Sequence, residues 1–280
     1  MLNPRKALWF VAVLLMSSAR LALAQGTYTQ IDFPGAITTS CWGINNAGDI
    51  AGFYQDVGGV YHGFILSNGT YTTLDYPGAQ ATVLNRINDV GQIVGTADNF
   101  GFVYNTENQT FSEIRYPGAD ATFPFAINNA GTVVGFFTIQ NLYSQGFQLI
   151  GSAYRAFAPA NANTYVYGIT NLGVIAGYVN SHAIHDFLFY HGKYRTLRIP
   201  NHTNAFVYGV NNAGNIFVGT FDNIGFAYQN NVVQTLRFPG GGLTYATGVN
   251  DAGEVVGLFL DSNLSQRGFT WTPPTDAAKK

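Results

Sequence analysis

The chain has almost no cysteine and little charge. One of its 280 residues is a cysteine, Cys41, and 13 Lys and Arg stand against 15 Asp and Glu. A single thiol makes no internal disulfide, so the fold must be stable through its core, with Cys41 as a small buried apolar side chain. The acidic balance, with no basic stretch, argues against a nucleic-acid partner.

A long apolar run is present only at the beginning. Arg5 and Lys6 precede the apolar residues 7–16, and an Ala-Leu-Ala pattern follows at 22–24. We therefore predict a secretory signal peptide at residues 1–24, with an uncleaved anchor as the alternative. No later segment approaches the ~20 apolar residues of a membrane span. We expect a monomer, periplasmic or extracellular, with no membrane contact after signal cleavage.

A repeat of about 40 residues runs through the rest of the chain. Each unit has a proline 14 residues before a marker glycine, Ile or Val four residues before it, and a phenylalanine farther on. The marker glycines are Gly48, Gly91, Gly131, Gly173, Gly214 and Gly253. The recurring phenylalanines, which we expect to pack between units, are Phe64, Phe102, Phe147, Phe187, Phe226 and Phe269.

The first full unit predicts four short strands, at 39–44, 49–54, 62–66 and 71–76. An Asn-Asn-Ala-Gly turn, a variable loop and a Ser-Asn-Gly hairpin separate them in that order. Asn and Gly tolerate the left-handed backbone that such turns need. Four antiparallel strands in about 40 residues are typical of a β-propeller blade.

The phase of the repeat predicts how the ring closes. Residues 28–35 match 71–78, the end of a unit, whereas the last unit stops after its third strand at 268–271. We predict an all-β, six-bladed β-propeller of four-stranded antiparallel blades, closed by the N-terminal strand pairing onto the last blade. It forms a single domain over 25–272, followed by a short disordered tail at 273–280. An open β-solenoid is the alternative.

Three departures from the repeat stand out. The residue five before the marker glycine is small in five units, which lets inner strands approach closely, but it is Arg86 in the second, where we expect the side chain to reach into the central channel. Asp186 replaces the glycine that precedes the recurring phenylalanine elsewhere. One extra residue between Gly214 and Gly219 predicts a β-bulge.

The segment 43–52 and the His-Gly-Phe tripeptide 62–64 resemble the bacterial extracellular HAF-type repeat family. Its name comes from a His-Ala-Phe tripeptide, and the Tyr-Pro-Gly-Ala segment at 76–79 is similar to its longer members. The resemblance covers residues 28–271, although the histidine occurs in only one unit and Gly replaces Ala. It implies export and repeated β structure, and it brings no catalytic residues.

Variable loops between the second and third strands of each unit would share one face of a propeller. A rigid frame with variable loops on one face is the usual arrangement for recognition. These loops lie at 55–61, 97–100, 138–145, 179–185, 221–224 and 260–267.

Two groups of residues on that face are candidates for binding. Asp56, Asp98, Asp222 and Asp261 occupy nearly equivalent positions and either hold a cation such as Ca²⁺ or satisfy loop backbone groups. No other cofactor is expected. The aromatic candidates either stack on a ligand or pack in the core. They are Tyr54, Tyr61, Phe100, Tyr143 and Tyr178.

Signs of catalysis are sparse. The chain has three glutamates, no Gly-x-Ser-x-Gly elbow and no Gly-rich phosphate loop. We therefore predict a secreted, non-catalytic propeller that binds an extracellular glycan or a cell-surface protein through the variable-loop face. The alternatives are a propeller glycan hydrolase or lyase that uses the loop aspartates, and a structural envelope component.

Overall fold

Six four-stranded antiparallel sheets surround a central axis. The computed structural model describes residues 26–140, 143–157, 162–180, 184–202 and 204–274. The architecture is the six-bladed β-propeller that the repeat predicts. The expected signal peptide at 1–24 and residues 275–280 of the expected tail lie outside the described residues. No described segment forms a helix that is long and apolar enough to cross a membrane.

Each blade runs from an inner strand at the axis to an outer strand. Blade 1 contains β2 (Thr38–Ile44), β3 (Ile50–Gln55), β4 (Tyr61–Ser67) and β5 (Thr70–Thr73). Blade 2 contains β6 (Thr82–Ile87), β7 (Gln92–Ala97), β8 (Phe100–Asn105) and β9 (Thr110–Ile114). Blade 3 contains β10 (Ala121–Ile127), β11 (Val133–Thr138), β12 (Gln145–Ile150) and β13 (Ala153–Phe157). Blade 4 contains β14 (Asn163–Ile169), β15 (Ile175–Asn180), β16 (Ile184–Tyr190) and β17 (Lys193–Thr196). Blade 5 contains β18 (Phe206–Val210), β19 (Phe217–Phe221), β20 (Ile224–Gln229) and β21 (Val232–Leu236). Blade 6 contains β22 (Thr244–Val249), β23 (Val255–Leu260), β24 (Gln266–Thr272) and β1 (Thr27–Ile31).

The N-terminal strand closes the ring. β1 pairs antiparallel with β24 from Thr27↔Thr272 to Ile31↔Gly268, so it is the outer strand of blade 6. Ile31 is 8% exposed and packs with Cys41 of blade 1, which is fully buried. Blade 6 therefore contains both the first and the last strand of the chain. This closes the ring, so the open end of a solenoid is absent.

The recurring phenylalanines form the packing between blades. Phe64, for example, is fully buried with Ile44 of its own blade and Val256 of blade 6. All six are 4% exposed or less, namely Phe64, Phe102, Phe147, Phe187, Phe226 and Phe269. This confirms their predicted role, and burial of each stabilises the fold by roughly 1.5–3 kcal/mol.

The outer strands end earlier than the sequence suggests. β5 stops at Thr73 rather than at residue 76. The reason is a turn in which the Tyr76 N–H donates to the Thr82 hydroxyl at 3.0 Å. Threonine hydroxyls six residues downstream accept the same bond from Phe33, Tyr116 and Phe238, at 3.0, 2.9 and 3.1 Å. These bonds direct the chain from an outer strand to the next inner strand.

The Asn-Asn-Ala-Gly turns join neighbouring blades on the face opposite the variable loops. One carboxylate oxygen of Asp89 accepts amide N–H bonds from Asn46, Asn129 and Asn212 at 3.1, 2.9 and 2.7 Å. The extra residue of unit five lies in such a turn, because Val210 pairs with Phe217. The predicted β-bulge at this point is wrong, since a longer turn accommodates the extra residue without disturbing the ladder.

The variable-loop face as candidate binding site

Half-buried aromatic rings form a continuous cluster on the variable-loop side of the axis. Every inner strand carries a bulge one residue before the small position. At four bulges stand Trp42, Phe125, Tyr167 and Tyr208. Trp42 and Phe125 belong to blades 1 and 3, yet their ring centroids lie 5.9 Å apart. Phe125 lies 4.6 Å from Tyr167, and Tyr167 lies 5.4 Å from Tyr208.

We call this set the aromatic cluster. It extends outward through further rings, namely Phe53, Tyr61, Phe123, Phe136, Tyr165, Tyr178, Phe206 and Tyr245. Tyr61, at the start of β4, is 41% exposed and carries the cluster to the surface. Burial raises the pKa of Tyr167 and of Tyr208, so their hydroxyls remain protonated.

Arg86 closes the axis beneath the aromatic cluster. Its guanidinium donates to the carbonyl oxygens of Trp42 at 3.1 Å, Tyr167 at 3.1 Å, Tyr208 at 3.0 Å and Thr247 at 3.2 Å. Burial lowers the pKa of Arg86 to about 10, which leaves it cationic at neutral pH. The expectation that Arg86 reaches into the channel is confirmed. It holds the inner strands of four blades together and forms a floor.

Asp186 separates blades 4 and 5 at a position where the other blades have glycine. An ideal Cβ on the corresponding Gly101 would lie 2.4 Å from a side-chain carbon of Pro124 on the next inner strand. In blade 4 this position carries the carboxyl group of Asp186, whose Oδ1 accepts a hydrogen bond from the Val207 N–H at 3.0 Å. Asp186 is only 6% exposed.

A cavity of about 490 Å³ lies in the same inter-blade space. In three other blades an aromatic ring from the linker stacks on the second strand of the next blade, as Phe238 does on Phe259 at 3.7 Å. In blade 5 the linker residue is Ile199, and the ring of His202 stacks on Phe221 instead, at 3.5 Å. The cavity, which we call the blade 4–5 cavity, is lined by His185, Asp186, Leu197, Ile199, His202 and Ala205 among others.

Burial dominates the electrostatics of Asp186. It raises the pKa of this carboxyl to about 7, against the smaller opposing effect of the Val207 N–H. Asp186 pairs with Tyr178 across the β15–β16 ladder, so both side chains point to blade 5. The carboxyl group therefore lies between the blade 4–5 cavity and the aromatic cluster.

The four loop aspartates do not converge. Asp56 accepts a backbone N–H of its own loop at 2.9 Å, and Asp261 accepts two, at 2.8 and 2.9 Å. Asp98 accepts two from the preceding linker at 3.1 Å. Asp222 is exposed, with a left-handed φ of 48°. Three of them thus satisfy loop backbone groups. Within the described ranges no group of three His, Cys, Asp or Glu is placed to hold a metal, and Ca²⁺ binding stays a prediction.

The aromatic candidates divide between two roles. Tyr61 and Tyr178 belong to the aromatic cluster. Tyr54 stacks at 3.7 Å on an aromatic residue of the linker that follows β1, and Phe100 lies 4.0 Å beneath an arginine of the outer region. Tyr143 is 49% exposed on its loop. Position at a strand end therefore did not distinguish rings of the aromatic cluster from rings that pack elsewhere.

Sequence reasoning missed most of the cluster, although the signal is in the repeat. Trp42, Phe125, Tyr167 and Tyr208 all stand six residues before a marker glycine. Aligning the units by that glycine would have shown an aromatic column on the inner strand. Asp186 was noticed as a departure, but only the structure shows the cavity beside it.

Comparisons with known proteins support the fold. No protein-family model and no curated protein sequence matches the chain. TolB from Acinetobacter baumannii has a TM-score of 0.55 at 12% identity over 80% of this chain, which spans only 64% of TolB. A lectin from Aleuria aurantia, solved with alpha-methyl-L-fucoside, has a TM-score of 0.53 at 9% identity, covering 88% of this chain and 95% of the lectin. Regucalcin from Agrobacterium tumefaciens, a calcium-binding protein, has a TM-score of 0.55 at 12% identity, covering 89% and 94%. At these identities the likeness is one of fold, and the chain is a six-bladed β-propeller.

Proposed function

We propose that this propeller is an exported, non-catalytic protein that binds a carbohydrate on its variable-loop face. The observation that carries the proposal is the aromatic cluster, in which half-buried rings from five blades meet on one face and reach solvent at Tyr61. Aromatic faces bind the C–H surfaces of sugar rings, and a pocket with a few placed polar groups adds orientation.

Tyrosine hydroxyls supply the polar part of such a site. Because Tyr167 and Tyr208 remain protonated, each hydroxyl is able both to donate and to accept a hydrogen bond. The Aleuria aurantia lectin, described with a novel fucose recognition mode, is a propeller of the same blade number. That likeness supports sugar recognition as a use of this fold, and the residues above carry the argument for this chain.

The hydrolase alternative is less well supported. Glycoside hydrolysis needs two carboxyl groups that flank the scissile bond, one of them with a raised pKa. Among the described residues Asp186 is the one buried carboxyl group. Hydrogen bonds from their own loops lower the pKa of Asp56 and of Asp261, which makes both poor proton donors at neutral pH.

A glycan array probed with the mature protein tests the proposal. Tyr61→Ala removes a 41%-exposed ring from the variable-loop face. The matched control is Tyr190→Ala, which removes a 45%-exposed ring from the end of β16 that lies away from the variable loops. We expect the first variant to lose about tenfold in affinity for any glycan bound, equivalent to 1.4 kcal/mol, and the second to bind as the parent does.

Three results would count against carbohydrate binding at this face. They are an array with no bound glycan, equal losses in the two variants, and binding that survives in Tyr61→Ala. If no glycan binds on the array but the protein binds a cell-surface protein, the result would favour a protein as the partner.

A further inference from the structure

We propose that the blade 4–5 cavity is a second binding site, which takes a small ligand that carries a protonated primary amine. The proposal does not depend on carbohydrate binding by the aromatic cluster. It rests on the shape of the cavity and on an acid at its wall that has no cationic partner among the described residues.

The cavity is a built feature of the repeat rather than a packing defect. Two departures from the repeat line the same inter-blade space: Asp186 stands where the other units have glycine, and Ile199 stands where four other units have an aromatic ring. Its volume of about 490 Å³ lies in the ordinary range for small-molecule sites, about 300–1,000 Å³.

The acid has no cationic partner in the described part of the chain. Oδ1 of Asp186 accepts the Val207 N–H, whereas no described Lys, Arg or His nitrogen lies within 4.0 Å of either carboxylate oxygen. The titratable or charged groups around it are Tyr178, Tyr208, His185, Arg198 and His202. Arg198 and His185 are exposed, and water screens the charge of the Arg198 guanidinium.

An ammonium group is the ligand chemistry that this arrangement suits. A buried carboxylate without a counter-ion is costly, and a cation at hydrogen-bond distance removes that cost. Leu197, Ile199, Pro200 and Ala205 form an apolar wall for the carbon skeleton of the ligand. An alcohol of the same shape gains the apolar contact without the charge, and an anion is repelled once Asp186 is ionised.

Benzylamine and benzyl alcohol form a matched pair of probes for this site. Titration of the mature protein at pH 8, followed by amide chemical shifts, should show benzylamine binding at least tenfold more tightly. Because the carboxyl group titrates near pH 7, raising the pH from 6 to 8 should increase amine affinity about tenfold and leave the alcohol unaffected.

Variants separate this site from others. Asp186→Asn keeps the shape and the bond from Val207 but removes the charge, and Ile199→Phe fills the cavity with an aromatic ring, which four other units have at this position. Both should lose amine binding, whereas Asp222→Asn, an exposed acid on the same face, should not. Far-UV circular dichroism and a cooperative melt would show that the variants are folded.

Several outcomes would overturn the proposal. Equal affinity for the amine and the alcohol would remove the role of charge. Amine binding retained in both Asp186→Asn and Ile199→Phe would place it elsewhere, and its loss in Tyr61→Ala alone would assign it to cation–π contact with the aromatic cluster. Binding of neither probe would also contradict the inference.

Discussion

Replacing Asp186 with asparagine should change how stability depends on pH. The pKa of this carboxyl is about 7 in the folded protein against 3.8 for a solvated aspartate. One unit corresponds to 1.36 kcal/mol, so the difference amounts to about 4 kcal/mol. Because the side chain is only 6% exposed, solvent screening removes little of this. Asparagine occupies the same volume and still accepts the bond from the Val207 N–H.

The sign follows from which state binds the proton. Below about pH 4 the carboxyl group is neutral in both states and adds no penalty. Between pH 4 and 7 the unfolded chain ionises while folded Asp186 stays protonated, so the parent loses stability as the pH rises. Above pH 7 both states are ionised and the penalty is constant. The asparagine variant should therefore gain up to about 4 kcal/mol relative to the parent between pH 4 and pH 8.

Urea unfolding of the parent and Asp186→Asn at half-unit intervals from pH 4 to 8 measures this difference. Taking the difference between the two proteins cancels the titration of the other groups. A difference that is independent of pH would refute the reasoning, and so would one that favours the parent at pH 8. The expected curve rises from pH 4 and flattens above pH 7.

Two further predictions concern the scaffold. Gly135→Ala should destabilise the protein by about 3 kcal/mol in urea unfolding, because the new Cβ would lie 2.0 Å from the Phe123 carbonyl oxygen. Gly242→Ala, with no heavy atom within 4 Å of the new Cβ, should stay within about 1 kcal/mol of the parent. Similar melts for the two variants would contradict the close approach of strands β10 and β11. Ile31→Ala should lower the free energy of unfolding by about 2–5 kcal/mol, because Ile31 anchors the closing strand. Thr29→Ala, at an exposed residue of the same strand, should change it by less than about 0.5 kcal/mol. A parent-like melt of Ile31→Ala would show that closure does not contribute to stability.

The repeat in the sequence predicted most of the architecture. A period of about 40 residues implied blades, and the surplus β segment at residues 28–35 implied that blade 6 borrows its outer strand from the beginning of the chain. Both are local signals, because strand periodicity and turn residues depend on neighbours in sequence. Kinship with HAF-type repeat proteins, monomeric state and Ca²⁺ binding stay predictions.

The blades, their number, the closure of the ring and the buried phenylalanines between sheets all follow from the amino-acid sequence. The contact between Trp42 of blade 1 and Phe125 of blade 3 is visible only in the folded protein, because bulges turn residues of non-adjacent repeats toward one axis. The same is true of the cavity that Asp186 borders in place of a packed interface. Contacts of this kind depend on how far apart neighbouring blades stand, and that distance is set by side chains far apart in sequence.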